Sequence, residues 1–156
     1  MEKNKKETSL VDVLVDNDSA LEKVIEETRY KFDLIPASTD LISAEIELSS
    51  LPSPTAILKE KLKDLGEAYD YTVIDCPPSL GMLSVSALRA ASKVLIPLQC
   101  EYYSLEGLAS MNKTINEIND ATGEKIEISG ILRTMYDSRI RLSREVSQEL
   151  EEHFSE

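Results

Sequence analysis

The 156-residue sequence predicts an α/β protein, a mostly parallel sheet with flanking helices, read as one domain over residues 1–156. Three observations predict it. Short apolar runs bounded by prolines or polar turns alternate with longer stretches whose apolar residues recur at helical steps, the pattern of strands joined by crossovers. Hydrophobic residues make up 42% of the chain against 29% charged, which supports a core and excludes an intrinsically disordered chain. No apolar run approaches the roughly 20 residues of a membrane span, and Met1 to Ser9 carries no apolar targeting segment, so the reading is cytoplasmic.

The elements follow in order. Ser9 is a suitable N-cap for a short helix carrying Leu10, Val11, Val13 and Leu14. The polar turn Asp16-Asn17-Asp18-Ser19 separates it from a second helix on Leu21, Val24 and Ile25. Phe32-Asp33-Leu34-Ile35 reads as a strand stopped by Pro36, and another helix precedes Pro52. Pro54 stands near the first turn of a helix from about Thr55 to Leu65, with Ile57, Leu58, Leu62 and Leu65 as its buried stripe. Tyr71-Thr72-Val73-Ile74 reads as a buried strand ending at Asp75. Leu83, Ala87, Leu88 and Ala91 mark a helical face, and Val94-Leu95-Ile96 a strand stopped by Pro97. Leu105, Leu108, Met111, Ile115 and Ile118 define a long helix from about Ser104 to Asp120. Ile126 to Met135 is the next strand, and Leu142, Val146 and Leu150 line a final helix. The strands near 32–36, 71–75, 93–98 and 126–134 are expected as parallel neighbours.

Charge and cysteines narrow the function classes. With 29 acids against 17 bases the chain carries −12, which disfavours general adhesion to nucleic acid or anionic membrane. Cys76 and Cys100 form no CxxC and are read as reduced, buried thiols. Asp16-Asn17-Asp18 with Glu27 imitates a calcium loop, but Leu21 stands where the sharp turn needs Gly, so a turn and helix cap is preferred. His153 lies near an acidic end and is not read as the partner of a cysteine nucleophile.

Asp75 is the residue that points to chemistry. A carboxylate closing a buried strand lies at the carboxyl edge of an open α/β sheet, where ligands bind, and Pro77-Pro78 stiffen the exit. In P-loop NTPases such an aspartate helps hold Mg²⁺ beside the phosphates; the competing reading is an Asp that caps the next turn. Arg133, Arg139, Arg141 and Arg144 fall close together, either to touch phosphate or to form a solvated surface balanced by Glu145, Glu149, Glu151 and Glu152.

Tyr69 to Leu83, with the core Val73-Ile74-Asp75-Cys76-Pro77-Pro78-Ser79, resembles the Walker B region of the ParA/Soj partition ATPases. The resemblance continues through Ala87 to Ala91, Val94 to Leu108 and Gly130 to Arg139, and suits Leu34 to Ala37 and Ala44 to Leu48. It implies a ParA/MinD-like P-loop NTPase fold and, for a complete protein, an ATP- and Mg²⁺-dependent homodimer. Such a dimer binds DNA without sequence preference, associates with the nucleoid and answers to a ParB-like partner. Within this chain it implies that Asp75 supports Mg²⁺ through a water, that Pro77 and Pro78 lie in the switch segment, and that Thr134, Met135 and Asp137 flank the nucleotide base. It also places Arg139, with Arg141, on the DNA side.

The departures from the family pattern are as specific as the match. The sequence has no G-x-x-x-x-G-K-[ST], no Gly before Gly66, and neither the family's catalytic aspartate nor its C-terminal portion. The expectation is the middle of a partition ATPase, not competent for hydrolysis as this chain. Two alternatives stay open: a non-enzymatic acidic interaction module that pairs with a homologue or another partner, and a MinD-like positioning ATPase. Glu145 to Glu156 does not resemble the membrane helix of the latter.

Overall fold

The computed structural model describes residues 8–16, 18–65, 68–77 and 79–154, the side chain of Ile42 excepted. The chain divides into one compact unit up to Ala90 and a second from Ala91. Among the described residues no helix is long and apolar enough to cross a membrane.

The first unit opens with α1 (Leu10–Val15). Ser9 caps it as the sequence predicts: its Oγ accepts the Asp12 N–H, while the Asp12 carboxylate accepts the Ser9 N–H at 2.8 Å. The expected second helix is a single 3-10 turn, Leu21–Val24, because the chain turns at once into β1 (Glu26–Glu27). β1 pairs antiparallel with β2 (Asp33–Leu34), Glu26 opposite Leu34 and Glu27 opposite Asp33. The strand expected over 32–36 is thus real but short, and its neighbour is a charged pair of residues that no apolar pattern marks. α2 (Asp40–Ser49) follows, then a 3-10 turn at Pro54–Ala56, α3 (Ile57–Asp64) and α4 (Met82–Ala90).

Two apolar clusters hold these elements. Val13, Leu21 and Val24 are buried with Leu62 and Ile35 against them, and Leu14, Ala44 and Leu48 with Leu58, Met82 and Leu83. Full burial of Val13 and Leu21 contributes about 1.5–3 kcal/mol each. Lys61 is buried beside them and donates its Nζ to the carbonyls of Asp16, at 2.9 Å, and Ser19. Ile57, Leu58, Leu62 and Leu65, predicted as the buried stripe, are half-buried, and the buried residue of α3 is Lys61, whose partners lie in the turn at Asp16 and Ser19.

The segment 71–77 corrects the sequence reading. It has no regular secondary structure, and Tyr71 and Val73 are 88% and 92% exposed. Its apolar, β-branched composition expresses an affinity for a sheet, but a strand exists only where a neighbour supplies hydrogen-bond partners. None of the described strands pairs with it.

The second unit is a βαβ crossover followed by a helix. β3 (Lys93–Gln99) and β4 (Glu127–Thr134) pair in parallel, Lys93 opposite Glu127 and Gln99 opposite Thr134, with a register shift between Val94 and Leu95. α5 (Tyr102–Thr122) connects them, and α6 (Arg141–Phe154) follows. Leu98, Cys100, Leu108, Val146 and Leu150 form the buried cluster, with Ile96 and Ile131 packed on it. Gly123 ends α5 at φ 71°, its N–H donating to the Asn119 carbonyl at 2.8 Å. Asn119 also clamps the entry to β4: its Nδ2 donates to the Ile126 carbonyl at 3.0 Å, and its Oδ1 accepts the Ile126 N–H at 2.9 Å. Of the four expected strands, 93–98 and 126–134 are parallel neighbours, 33–34 pairs antiparallel with β1, and 71–75 forms no strand.

Candidate functional site

Asp75 lies in the irregular segment between α3 and α4, exposed, without a hydrogen bond or ion pair among the described residues. Its charge is felt at Cys76, whose thiol is pushed up by partial desolvation and then by the neighbouring carboxylate. Cys76 is exposed, which corrects the expectation of two buried thiols: burial depended on the strand that does not form. Cys100 is buried as expected. Pro77 is exposed, and Pro78 lies outside the described residues.

The far end of this segment is anchored. The Ser84 hydroxyl donates to the Ser79 carbonyl at 2.6 Å, and the Leu83 N–H donates to Glu45 Oε1 at 3.2 Å. Glu45, from the middle of α2, thereby caps the first turn of α4, where free N–H groups and the helix dipole favour a carboxylate. A side chain at Gly81 would come within 3.1 Å of the same oxygen. Sequence reasoning placed Glu45 only inside a family block; a cap from 38 residues away leaves no local spacing to find.

Thr134, Met135 and Asp137 lie in the second unit, on the exit from β4. Met135 is left-handed at φ 51° and 82% exposed, touched through its sulfur by Gln99 Nε2 at 3.4 Å from the end of β3. A non-glycine residue in that region stores strain of about 1–3 kcal/mol, and such residues collect at ligand edges. Asp137 and Arg139 form a bidentate pair, with Nη2 to Oδ2 at 2.7 Å and Nε to Oδ1 at 3.0 Å. The Arg139 guanidinium and then its backbone N–H hold the Asp137 carboxyl below the usual range, and Asp137 raises Arg139 in turn.

The arginines predicted to face phosphate have partners within the chain. Arg141 donates to Glu145 at 2.6 Å, and Arg133 to Ser147 and to Glu151 at 2.7 Å, with its guanidinium 5.7 Å from the Tyr136 ring. Arg144 is exposed and has no ion pair among the described residues. The glutamates of the solvated-surface reading thus partner Arg133 and Arg141, while Arg139 is held by Asp137 instead. In the 16–19 turn the Asp16 carboxylate accepts from the Ser19 hydroxyl and the Asp18 N–H, the arrangement of a turn rather than a calcium loop. Among the described residues no three His, Cys, Asp or Glu side chains converge on a point that could hold a metal directly. An exposed, unbonded Asp75 suits contact with a hydrated cation through water.

The family model described as an AAA domain matches residues 1–128. The chain is 41% identical over 139 residues to the chromosome partitioning protein ParA of Myxococcus xanthus, covering 88% of this chain and 49% of that protein. It is 40% identical over 154 residues to the sporulation initiation inhibitor protein Soj of Bacillus subtilis, covering 99% of this chain and 61% of that one. Among solved structures it is similar to cobyrinic acid a,c-diamide synthase from Mycobacterium smegmatis with bound ADP and magnesium, at TM-score 0.86 and 33% identity, over 99% of this chain and 62% of that one. The chain thus spans roughly half to three-fifths of the proteins it matches.

Proposed function

We propose, from the premise that the chain belongs to the AAA-domain family of ParA/Soj-type partition ATPases, that it performs the nucleotide-edge and partner-contact part of a partition ATPase. The observation that carries the proposal is the match of about 40% identity to ParA and Soj across nearly all of the chain. In this proposal residues 1–156 make up one partial ATPase domain. In the complete protein the activity is ATP-dependent dimerisation, sequence-independent DNA binding and release on contact with a ParB-like protein.

The residues support named roles. Mg²⁺ neutralises charge on the phosphates when bound, and Asp75 holds its hydration shell. Pro77 and Pro78 stiffen the switch segment behind it. Thr134, Met135 and Asp137 flank the base, with Asp137 kept ionised by Arg139. Arg139 and Arg141 contact DNA phosphates once drawn from their carboxylate partners. The glycine-rich loop and lysine that cradle a triphosphate are not in this sequence, and Asp75 alone repels one. Mg-ATP therefore binds this chain no tighter than about 1 mM, roughly 4 kcal/mol. Titration calorimetry with Mg-ATP tests this, and micromolar affinity abolished by Asp75→Ala would overturn it.

A second reading, a non-enzymatic module that pairs with a homologue, is favoured by one observation. Tyr71 and Val73 present apolar surface to solvent on a segment of strand-like composition.

A further inference from the structure

We propose that the tip of the β1–β2 hairpin, Arg29-Tyr30-Lys31-Phe32, is a stacking site for single-stranded nucleic acid. The proposal is independent of the nucleotide edge and of the Arg139–Arg141 reading. The tip is a built turn. The Thr28 N–H and hydroxyl both donate to the Phe32 carbonyl, at 3.2 and 2.6 Å, and the Thr28 hydroxyl accepts the Tyr30 N–H. Lys31 takes a left-handed φ of 63° at its apex.

Across this turn the Tyr30 and Phe32 rings stack, centroids 6.3 Å apart and planes 13° from parallel. The Arg29 guanidinium lies 4.8 Å from the Tyr30 centroid and donates to its hydroxyl at 2.6 Å. Packing within the hairpin would account for rings turned onto the body of the unit. These two remain 65% and 55% exposed, and Phe32 has Tyr30 as its one ring neighbour among the described residues.

The chemistry selects the ligand. A flat, exposed π-face flanked by two cations matches a planar base joined to phosphate, the combination used by proteins that bind single strands. Paired bases keep their faces inside the duplex stack, so an unpaired base is required. The cations are local to the tip: Glu26, Glu27 and Asp33 lie behind it, and the chain as a whole carries −12. Duplex DNA, read through many phosphates, has little to hold here. The same charge opposes an anionic membrane surface.

The chain contains no tryptophan, so F32W places a single reporter in the stack. Titrated with a single-stranded oligonucleotide at low salt, its emission should be quenched, and a duplex of equal length or free ATP should need far higher concentration. By anisotropy of a labelled single strand, Tyr30→Ala and Phe32→Ala should each weaken binding by about fivefold or more. The slope of log K against log salt should lie near −1.4, about −0.7 for each of two phosphates. Lys31→Gln, which leaves the rings in place, should bring it to about −0.7 even where a ring variant fails to fold. The proposal is overturned if emission is unmoved by single strands, if duplex or free ATP competes equally, or if anionic vesicles shift the emission while oligonucleotides do not.

Discussion

Lys61 sends its ammonium group into the first unit to serve the carbonyls of Asp16 and Ser19. Methionine replaces the apolar stem and leaves both acceptors unmet, so Lys61→Met should cost about 1–3 kcal/mol, read from urea midpoints. Unchanged stability would show that water replaces the amine. Acid acts at two nearby carboxylates. Hydrogen bonds from Ser9 hold Asp12 below its ordinary value, and those from Ser19 and then Asp18 do the same for Asp16. A group whose folded value is depressed stabilises fully above its unfolded value of about 3.9 and loses that contribution as pH falls through the folded value. The stability gap between wild type and Asp12→Asn/Asp16→Asn should therefore be constant at higher pH and shrink below that point. A gap that widens on acidification contradicts the assignment. Serine three residues before Asp12 made this cap legible in the sequence; nothing near Lys61 foretold its partners.

Two glycines of one helix make opposite predictions at the scale of the element. Gly107 sits in the body of α5, exposed, and an added Cβ would meet nothing within 4 Å. Gly107→Ala should stabilise by about 1 kcal/mol and raise the melting temperature by about 2–4 °C. Gly123 ends the same helix at φ 71°, where a side chain strains the backbone. Gly123→Ala should lower the melting temperature, and a rise would mean the left-handed cap is not held in solution. Glu45→Ala should likewise loosen α4 by removing the acceptor of the Leu83 N–H. Elements were legible wherever their partners lay close in sequence. β3, α5, β4 and α6 carry apolar periodicity and meet within one crossover, so their bounds fall within a few residues of those expected. The 71–75 strand failed because period and composition report what a segment would bury, whereas pairing depends on another segment's N–H and C=O groups. β1 was missed for the converse reason: Glu26 and Glu27 carry no apolar signal, and antiparallel pairing alone makes them a strand.

Over the whole molecule, charge and exposed apolar surface pull in opposite directions. A net charge of −12 keeps copies apart, while Tyr71 and Val73 expose apolar surface on a segment of strand-like composition that favours association. Sedimentation over a concentration series should show self-association that Val73→Asp abolishes; a wild-type chain monomeric throughout would assign the charge the larger effect. The sequence nominates Asp75 through the prolines after it and the β4 exit through the apolar run before it, although the strand expected to end at Asp75 does not form. The intramolecular pairing of Arg133, Arg139 and Arg141 was not, because choosing between phosphate and a neighbouring carboxylate requires distances. The two cysteines fall one in each compact unit, Cys76 exposed and Cys100 within the cluster of Leu98, Leu108, Val146 and Leu150. Thiol labelling thus gives one chain two clocks. Cys76 is modified from the native state at a pace set by its small thiolate fraction, and Cys100 only when its cluster opens. In rising urea, a Cys100 clock that keeps time with global unfolding makes the chain a single cooperative system. A clock that runs ahead gives the crossover unit a stability of its own.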